Sequence, residues 1–506
     1  VRPALALALL SLCPLGEARA NSPAQAVASA FTDISRVKKS DRVYQRYLWA
    51  PNPSADFRKL ISFHANLLST AGDFGTPTWV HPDLARLDMR DYGWDARAGV
   101  WEKFGKNDVY FHQRVRFAAP ARVVQFWPGG KERGRFFRRG KYARVLRAGA
   151  VSSAPGFWLP QLQINALRAH TYSEAPVLNA EWWFVQTARQ LSIRNVAEGT
   201  GYYDLLGLED RRAFFRLVGL NEAVAQRTYQ EWRAVVAKSG VSAQNRQVVA
   251  LRATTGRVWF TLDTFHEQGR GIAKRNLRRG EFKFDVQEIY GYLPNGLPVT
   301  FLADAKGVAQ ATAPDTIGPD DSSLRRGRDG RIHANLSCIR CHGLDRGFLK
   351  PIDDWARKTF SNGGRPLSLQ DYDRDVLLEL RRQYLADLNR MLRRDREDYA
   401  AATIRLTGLD VADMTRLYGR AWNAYVERVV TRKLAAAELG VTEEVFVRQL
   451  RLYAAAKGGA DLVLVGYLDD PAQELTRLEW EDSYAFAQAI LHGVPPEVPK
   501  KIRAIR

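Results

Sequence analysis

Sulfur is scarce in this chain. Three cysteines and three methionines occur in 506 residues, too few thiols for the disulfide framework that holds small secreted domains together. Two of the cysteines form one C-x-x-C pair and no second pair exists, which argues against a four-cysteine structural zinc site. Long apolar runs are missing too: beyond the N-terminus no segment approaches the about 20 uninterrupted apolar residues of a membrane-spanning helix. A P-loop, a dinucleotide fingerprint and an H-E-x-x-H pair are all absent, so a second cofactor has no sequence support. No internal repeat is visible, against a solenoid or propeller.

Stability must therefore come from a core, and 46% hydrophobic residues with 13 Trp can build one. The length allows roughly two to four domains. Acidic residues are outnumbered, 55 against 75 Lys and Arg, for a net charge of +20. Such an excess steers acidic partners or anionic envelope surfaces toward the chain. Its concentrations at Arg133 to Arg147, Arg270 to Arg279 and Arg381 to Arg396 also read as solvated faces.

At the N-terminus, Arg2 precedes the apolar run Ala4 to Leu12, and Ala18-Arg19-Ala20 follows as a small-x-small cleavage signature. Residues 1–20 read as a secretory signal peptide, which predicts a periplasmic or otherwise exported protein. Leu12 before Cys13 replaces the small residue that a lipidated cysteine requires.

The most specific feature is Cys338-Ile339-Arg340-Cys341-His342. C-x-x-C-H is the spacing of covalent haem attachment: two thiols add to the two vinyl groups and the adjacent imidazole ligates the iron. With so few Cys and His, chance supplies ~0.0003 such motifs in a chain of this composition. Zinc would need further ligands. A dithiol redox site has no use for the following histidine, and the surrounding segment reads as loop, not as the start of a helix after a strand. A structural pair with a bystander histidine is the remaining alternative. The expected cofactor is one covalent haem c, held by Cys338, Cys341 and His342, with His342 as the metal ligand.

Periodicity predicts an α+β chain, mainly helical, with one small antiparallel sheet, a haem-binding CxxCH loop and a helical C-terminal region. Residues 21–330 read as an α+β region, with 104–170 as an insertion of short strands and loops. Within it, residues 21–75 read as mainly helical from the spacing of Tyr44, Tyr47 and Leu48, then Leu60, Phe63, Leu67 and Leu68. Leu87 to Trp94 reads as a strand running into a glycine turn. Val286 to Leu293 and Leu297 to Leu302 pair across Pro294-Asn295-Gly296, because Asn-Gly between apolar runs is a strong hairpin signal. Residues 331–366 form the attachment loop, 367–493 the helical region, with Ser368 and Asp371 as a capping box, and 494–506 a basic tail. Asp353-Asp354 and Asp320-Asp321 read as caps or solvent contacts.

The sixth iron ligand stays open at this stage. Met391 and Met414 follow the motif at distances usual for small electron-transfer cytochromes, yet both fall in predicted helices where methionine commonly packs a core. His333, His266 and His64 are the histidine options, and an empty position is another. Met89 reads as core.

The order of segments carries a resemblance. Asp88-Met89-Arg90-Asp91-Tyr92-Gly93-Trp94, Glu181-Trp182-Trp183-Phe184, Tyr203-Asp204-Leu205-Leu206-Gly207, Ser239-Gly240-Val241-Ser242 with Asn245-Arg246, Leu293-Pro294-Asn295-Gly296-Leu297 with Asp304-Ala305-Lys306-Gly307, and Asn335-Leu336-Ser337-Cys338 occur in succession. Together with Lys433 to Gly440, this set resembles an exported monohaem c-type cytochrome family common in planctomycetes, over about residues 40 to 450. The chain is longer than that pattern at 104–170. The resemblance implies haem, export and electron transfer to or from a redox partner. The expected protein is thus an electron carrier rather than an enzyme, with an acidic redox partner and no nucleic acid. The alternative is a peroxidase-like haem enzyme, or a gas or peroxide sensor, with an open distal iron site.

Overall fold

A computed structural model describes residues 23–50, 53–107, 167–190, 201–228, 230–236, 244–268, 277, 282–314, 331–343, 349–354, 356–358, 373–439, 441–456 and 475–492. Helix α1 (Pro23–Arg36) leads to strand β1 (Gln45–Trp49) and helix α2 (Ala55–Leu67). Strands β2 (Thr78–His81) and β3 (Leu84–Asp88), helix α3 (Ala98–Asn107), strand β4 (Val177–Asn179) and helix α4 (Ala180–Thr187) follow. Three short helices, α5 (Tyr202–Leu206), α6 (Arg211–Val218) and α7 (Glu222–Arg227), precede strands β5 (Glu231–Val236), β6 (Gln244–Ala253), β7 (Gly256–Gln268), β8 (Val286–Tyr292) and β9 (Pro298–Asp304). The remainder comprises α8 (Leu336–His342), α9 (Arg374–Tyr384), α10 (Leu388–Thr407), α11 (Val411–Val426), β10 (Val429–Val430), α12 (Arg432–Leu439), α13 (Glu443–Ala456), β11 (Leu475–Thr476) and α14 (Arg477–His492).

Local chemistry sets many of these boundaries. Ser54, Asn179 and Asp410 each accept a hydrogen bond from the backbone N–H three residues on, so α2, α4 and α11 begin with a satisfied cap. Gly408 ends α10 at φ 71, in the left-handed region that glycine enters without a Cβ penalty.

The expectation of one small antiparallel sheet is overturned. There are three sheets among the described residues, of four, five and two strands. The four-stranded sheet runs in the order β2-β3-β1-β4, and β1 pairs with β4 in parallel, Tyr47 opposite Val177. The segment carrying Tyr47 and Leu48 is thus a fully buried strand, not a helix. The five-stranded sheet is an antiparallel meander, β5-β6-β7-β8-β9. Its last turn is the expected hairpin: Leu293 donates to Leu297, and Gly296 takes φ 87. The motif also departs from expectation, for Cys338 to His342 lie on helix α8 and not in a loop. The signal peptide, most of the 104–170 segment, the Ser368–Asp371 box and the basic tail fall outside the described residues.

All seven residues of β8 are buried, so the meander is covered on both faces. On one side α6 packs close: a Cβ added to Gly291 would lie 3.1 Å from Phe214 and from Val218. On the other side lie α8 and α10. The outer edge at β9 is closed by hydroxyls, Tyr202 accepting from Thr300 N and Tyr203 from Leu302 N, which removes a free strand edge. One hydrophobic core takes in residues of both larger sheets, and aromatic rings pack together within it. Tyr92 stacks on Trp94 at 4.6 Å, and Trp94, Trp101 and Trp183 follow at 6.1 to 6.2 Å between centroids.

Candidate functional site

Helix α8 is short and begins under strain. Asn335 has φ 65 and ψ −59, and Leu336 N donates to Ala334 O at 2.9 Å, which together make a γ-turn of the rare positive-φ kind. Such a backbone costs about 1–3 kcal/mol and persists only where its surroundings hold it. Here the Asn335 side chain supplies the hold: its Nδ2 donates to Ala188 O at 2.9 Å and to the Tyr418 hydroxyl at 3.4 Å.

At 100° per residue, Cys338, Cys341 and His342 occupy one arc of about 100° on α8. Cys338, inside the arc, is buried and Cys341, at one end of it, is exposed, with no disulfide at either. Burial, aided by nearby Glu288, pushes the Cys338 thiol up to about 12, against hydrogen bonds from Asn335 and Thr300. A redox dithiol needs the opposite, a lowered thiol pKa at an accessible first cysteine. Among the described residues no group of three or more His, Cys, Asp or Glu could hold a metal ion. A porphyrin brings four nitrogens of its own and needs only thiols and one axial imidazole, so the donor set on α8 fits haem c.

The sheet beneath contributes what the sequence reading missed. The registers Arg246↔Asp263, Thr261↔Glu288, Trp259↔Tyr290 and Tyr290↔Thr300 place these side chains on one face, toward α8. His342 Nε2 lies 3.3 Å from Tyr290 Oη, which donates to Glu288 Oε2 at 2.8 Å. Thr261 also donates to Glu288, and Arg246 reaches it at 3.7 Å while binding Asp263 through two bonds of 2.8 Å. Burial would raise Glu288, but Arg246, His342 and the two hydroxyls hold it below the usual carboxylate range. Asp263 goes up to about 6, by burial and by Glu288, against Arg246. The one available signal was a pair of polar residues, Gln287 and the acidic Glu288, between the apolar and aromatic residues of the strand Val286-Gln287-Glu288-Ile289-Tyr290.

The other candidates are placed elsewhere. His64 is wholly buried, with Nε2 2.6 Å from Thr187 Oγ1 and Nδ1 3.2 Å from Tyr418 Oη. Thr187 donates its own proton to Trp183 O, so it accepts from Nε2–H, and Tyr418 donates to Nδ1. A directed chain therefore runs Asn335, Tyr418, His64, Thr187, Trp183, and ties the motif to α2 and α4. Both nitrogens of His64 are committed, which leaves none for iron. Met414 is fully buried in α11, Met391 partly buried on α10, and Met89 packs the main core. His333 is paired with Thr312 in an isolated bridge before α8. His266 lies on β7, its side chain outside the described set. Asp354 serves as the expected cap, accepting from Arg357 N at 3.1 Å.

Helix α11 closes over α8. Arg340 stacks on Trp422 at 5.7 Å, and a Cβ on Gly343 would fall 1.8 Å from Thr415 Oγ1 and 2.9 Å from Ile339 O. Overpacking of this kind costs about 1–3 kcal/mol. Gly343→Ala is expected to lower stability by that amount in urea unfolding, with partial recovery on adding Thr415→Gly; an unchanged midpoint would disprove the close contact. Comparison of the chain with protein-family models, curated proteins and solved structures finds no match.

Proposed function

We propose that this protein is an exported c-type cytochrome, carrying one haem bound covalently by Cys338 and Cys341 with His342 as axial ligand, and that it transfers electrons to or from a redox partner. The observation that carries the reading is the arrangement of two thiols, neither in a disulfide, and an imidazole on one arc of α8. The haem supplies one-electron chemistry when bound. The chain's own residues do the rest: Asn335 and Gly343 fix α8 against α11, and the Cys341 end of the arc keeps one edge of the site near solvent. The ordered segments that resemble the monohaem family favour the same reading. A net charge of +20 suits an acidic partner. Among the described residues no helix is long and apolar enough to cross a membrane.

Stopped-flow mixing of the reduced, haem-loaded protein with a small acidic redox protein tests this. The expected second-order rate is fast at low salt and falls about tenfold or more as ionic strength rises. No steady peroxide consumption is expected. Sustained peroxide turnover with negligible electron exchange would replace this reading with the haem-enzyme alternative.

A further inference from the structure

The geometry points to Tyr290 as the side chain that faces the haem iron opposite His342, with its phenol oxygen as the sixth ligand. This rests on the haem reading and deepens it. Nε2 of His342 and Oη of Tyr290 lie 3.3 Å apart. Because Tyr290 donates to Glu288, the proton between imidazole and phenol belongs to Nε2, and an Oη lone pair points back at it. Iron ligated by the imidazole takes the place of that proton. Two metal–ligand bonds of about 2 Å each would span about 4 Å, so the separation of the two donor atoms is already within about 1 Å of that of two ligands sharing one metal. The two rings are 5.2 Å apart between centroids, one carried by α8 and the other by β8.

The surroundings suit an oxygen donor. Tyr290 is buried on β8, and its hydroxyl is held by Glu288, itself held by Thr261 and Arg246. A bond from an Oη lone pair to ferric iron would make the phenol acidic enough to yield its proton along the existing hydrogen bond to Glu288 Oε2, weak base though that carboxylate is, and no electron would move. Of the sulfurs the sequence suggested, Met414 is packed in the core on α11 and Met391 is partly buried on α10, whereas the Tyr290 oxygen is within reach of His342 Nε2. Two carboxylates share one guanidinium behind the phenol, an excess of negative charge that favours the more positive, ferric state.

The test is resonance Raman and absorption spectroscopy of the purified ferric holoprotein, made with ordinary and with ring-deuterated tyrosine. Expected are phenolate vibrations enhanced by a ligand-to-iron transition and shifted by the label, absent from Tyr290→Phe. That variant is also expected to bind azide at least tenfold more tightly. In Glu288→Gln the phenol remains and its bands shift. Absence of phenolate bands from the unsubstituted holoprotein overturns the assignment without any variant, and so does a sulfur-to-iron band or a bis-imidazole signal. A protein that retains no haem in a denaturing gel overturns the haem reading itself, a result distinct from haem retained without phenolate bands.

Discussion

Replacing Cys338 and Cys341 together by alanine is expected to abolish haem retention in denaturing gels, while either single change leaves one thioether and a weaker stain. The effect is all or none in the double variant because axial ligation alone does not survive denaturation, whereas a thioether is a covalent bond. The two thiols sit differently, one in the core and one at the surface, so the single variants separate attachment from folding. Cys341→Ala alters a surface position and should leave stability unchanged. Cys338→Ala removes a sulfur packed among buried groups and should also soften the protein in urea. His342→Ala is a different experiment: haem stays attached and its spectrum changes. A stain that survives the double change would remove the basis for the cytochrome reading.

A large loss of stability in mild acid is the second expectation, and its source is His64. Burial pushes this imidazole down to about 3 in the folded protein, while an unfolded histidine titrates near 6.5. Between these values the unfolded chain holds a proton that the folded chain refuses, so stability is complete above about pH 6.5 and falls as pH drops. The slope is about 1.4 kcal/mol per pH unit. Over the whole window the loss is about 4–5 kcal/mol, comparable with the total stability of many domains. A proton on Nδ1 would confront the hydroxyl that Tyr418 directs at it, and so break the chain that starts at Asn335. Urea unfolding at a series of pH values, for the unsubstituted protein and for His64→Gln, isolates this contribution from the carboxylates. The variant is expected to lose about one proton's worth of slope between pH 6 and 4, and equal slopes would refute the assignment.

What was legible in the sequence was local. Asn295-Gly296 requires a positive φ at one position and closes a hairpin between neighbouring strands, so no distant residue had to be known. The C-x-x-C-H spacing is equally local, and its three side chains do share one helical face. The four-stranded sheet was hidden because β1 finds its partners far along the chain, Arg46 opposite Leu87 and Tyr47 opposite Val177. Three apolar residues at Tyr44, Tyr47 and Leu48 fit a helix period by themselves, and the tertiary pairing overrides it. The helical form of α8 was hidden for a related reason. Its stability comes from Asn335 gripping Ala188 and Tyr418, and from Gly343 fitting against Thr415, none of which is a neighbour in sequence. Tyr290 and Glu288 were invisible as site residues because only the registers across β6 to β9 bring Arg246, Asp263, Glu288 and Tyr290 onto one face.

The succession of strands in the meander sets a timetable. Strands β5 to β9 pair in chain order, so a chain emerging N-terminus first can complete that sheet from contacts between consecutive segments. The motif emerges next, and the helix that locks it in place, α11, arrives only some 70 residues later. Through that interval α8 already rests on a finished wall, with Cys338 turned toward Glu288 and Thr300. The order of elements along the chain thus seats the cysteine face of α8 first and clamps its far face, with Arg340 and Gly343, last.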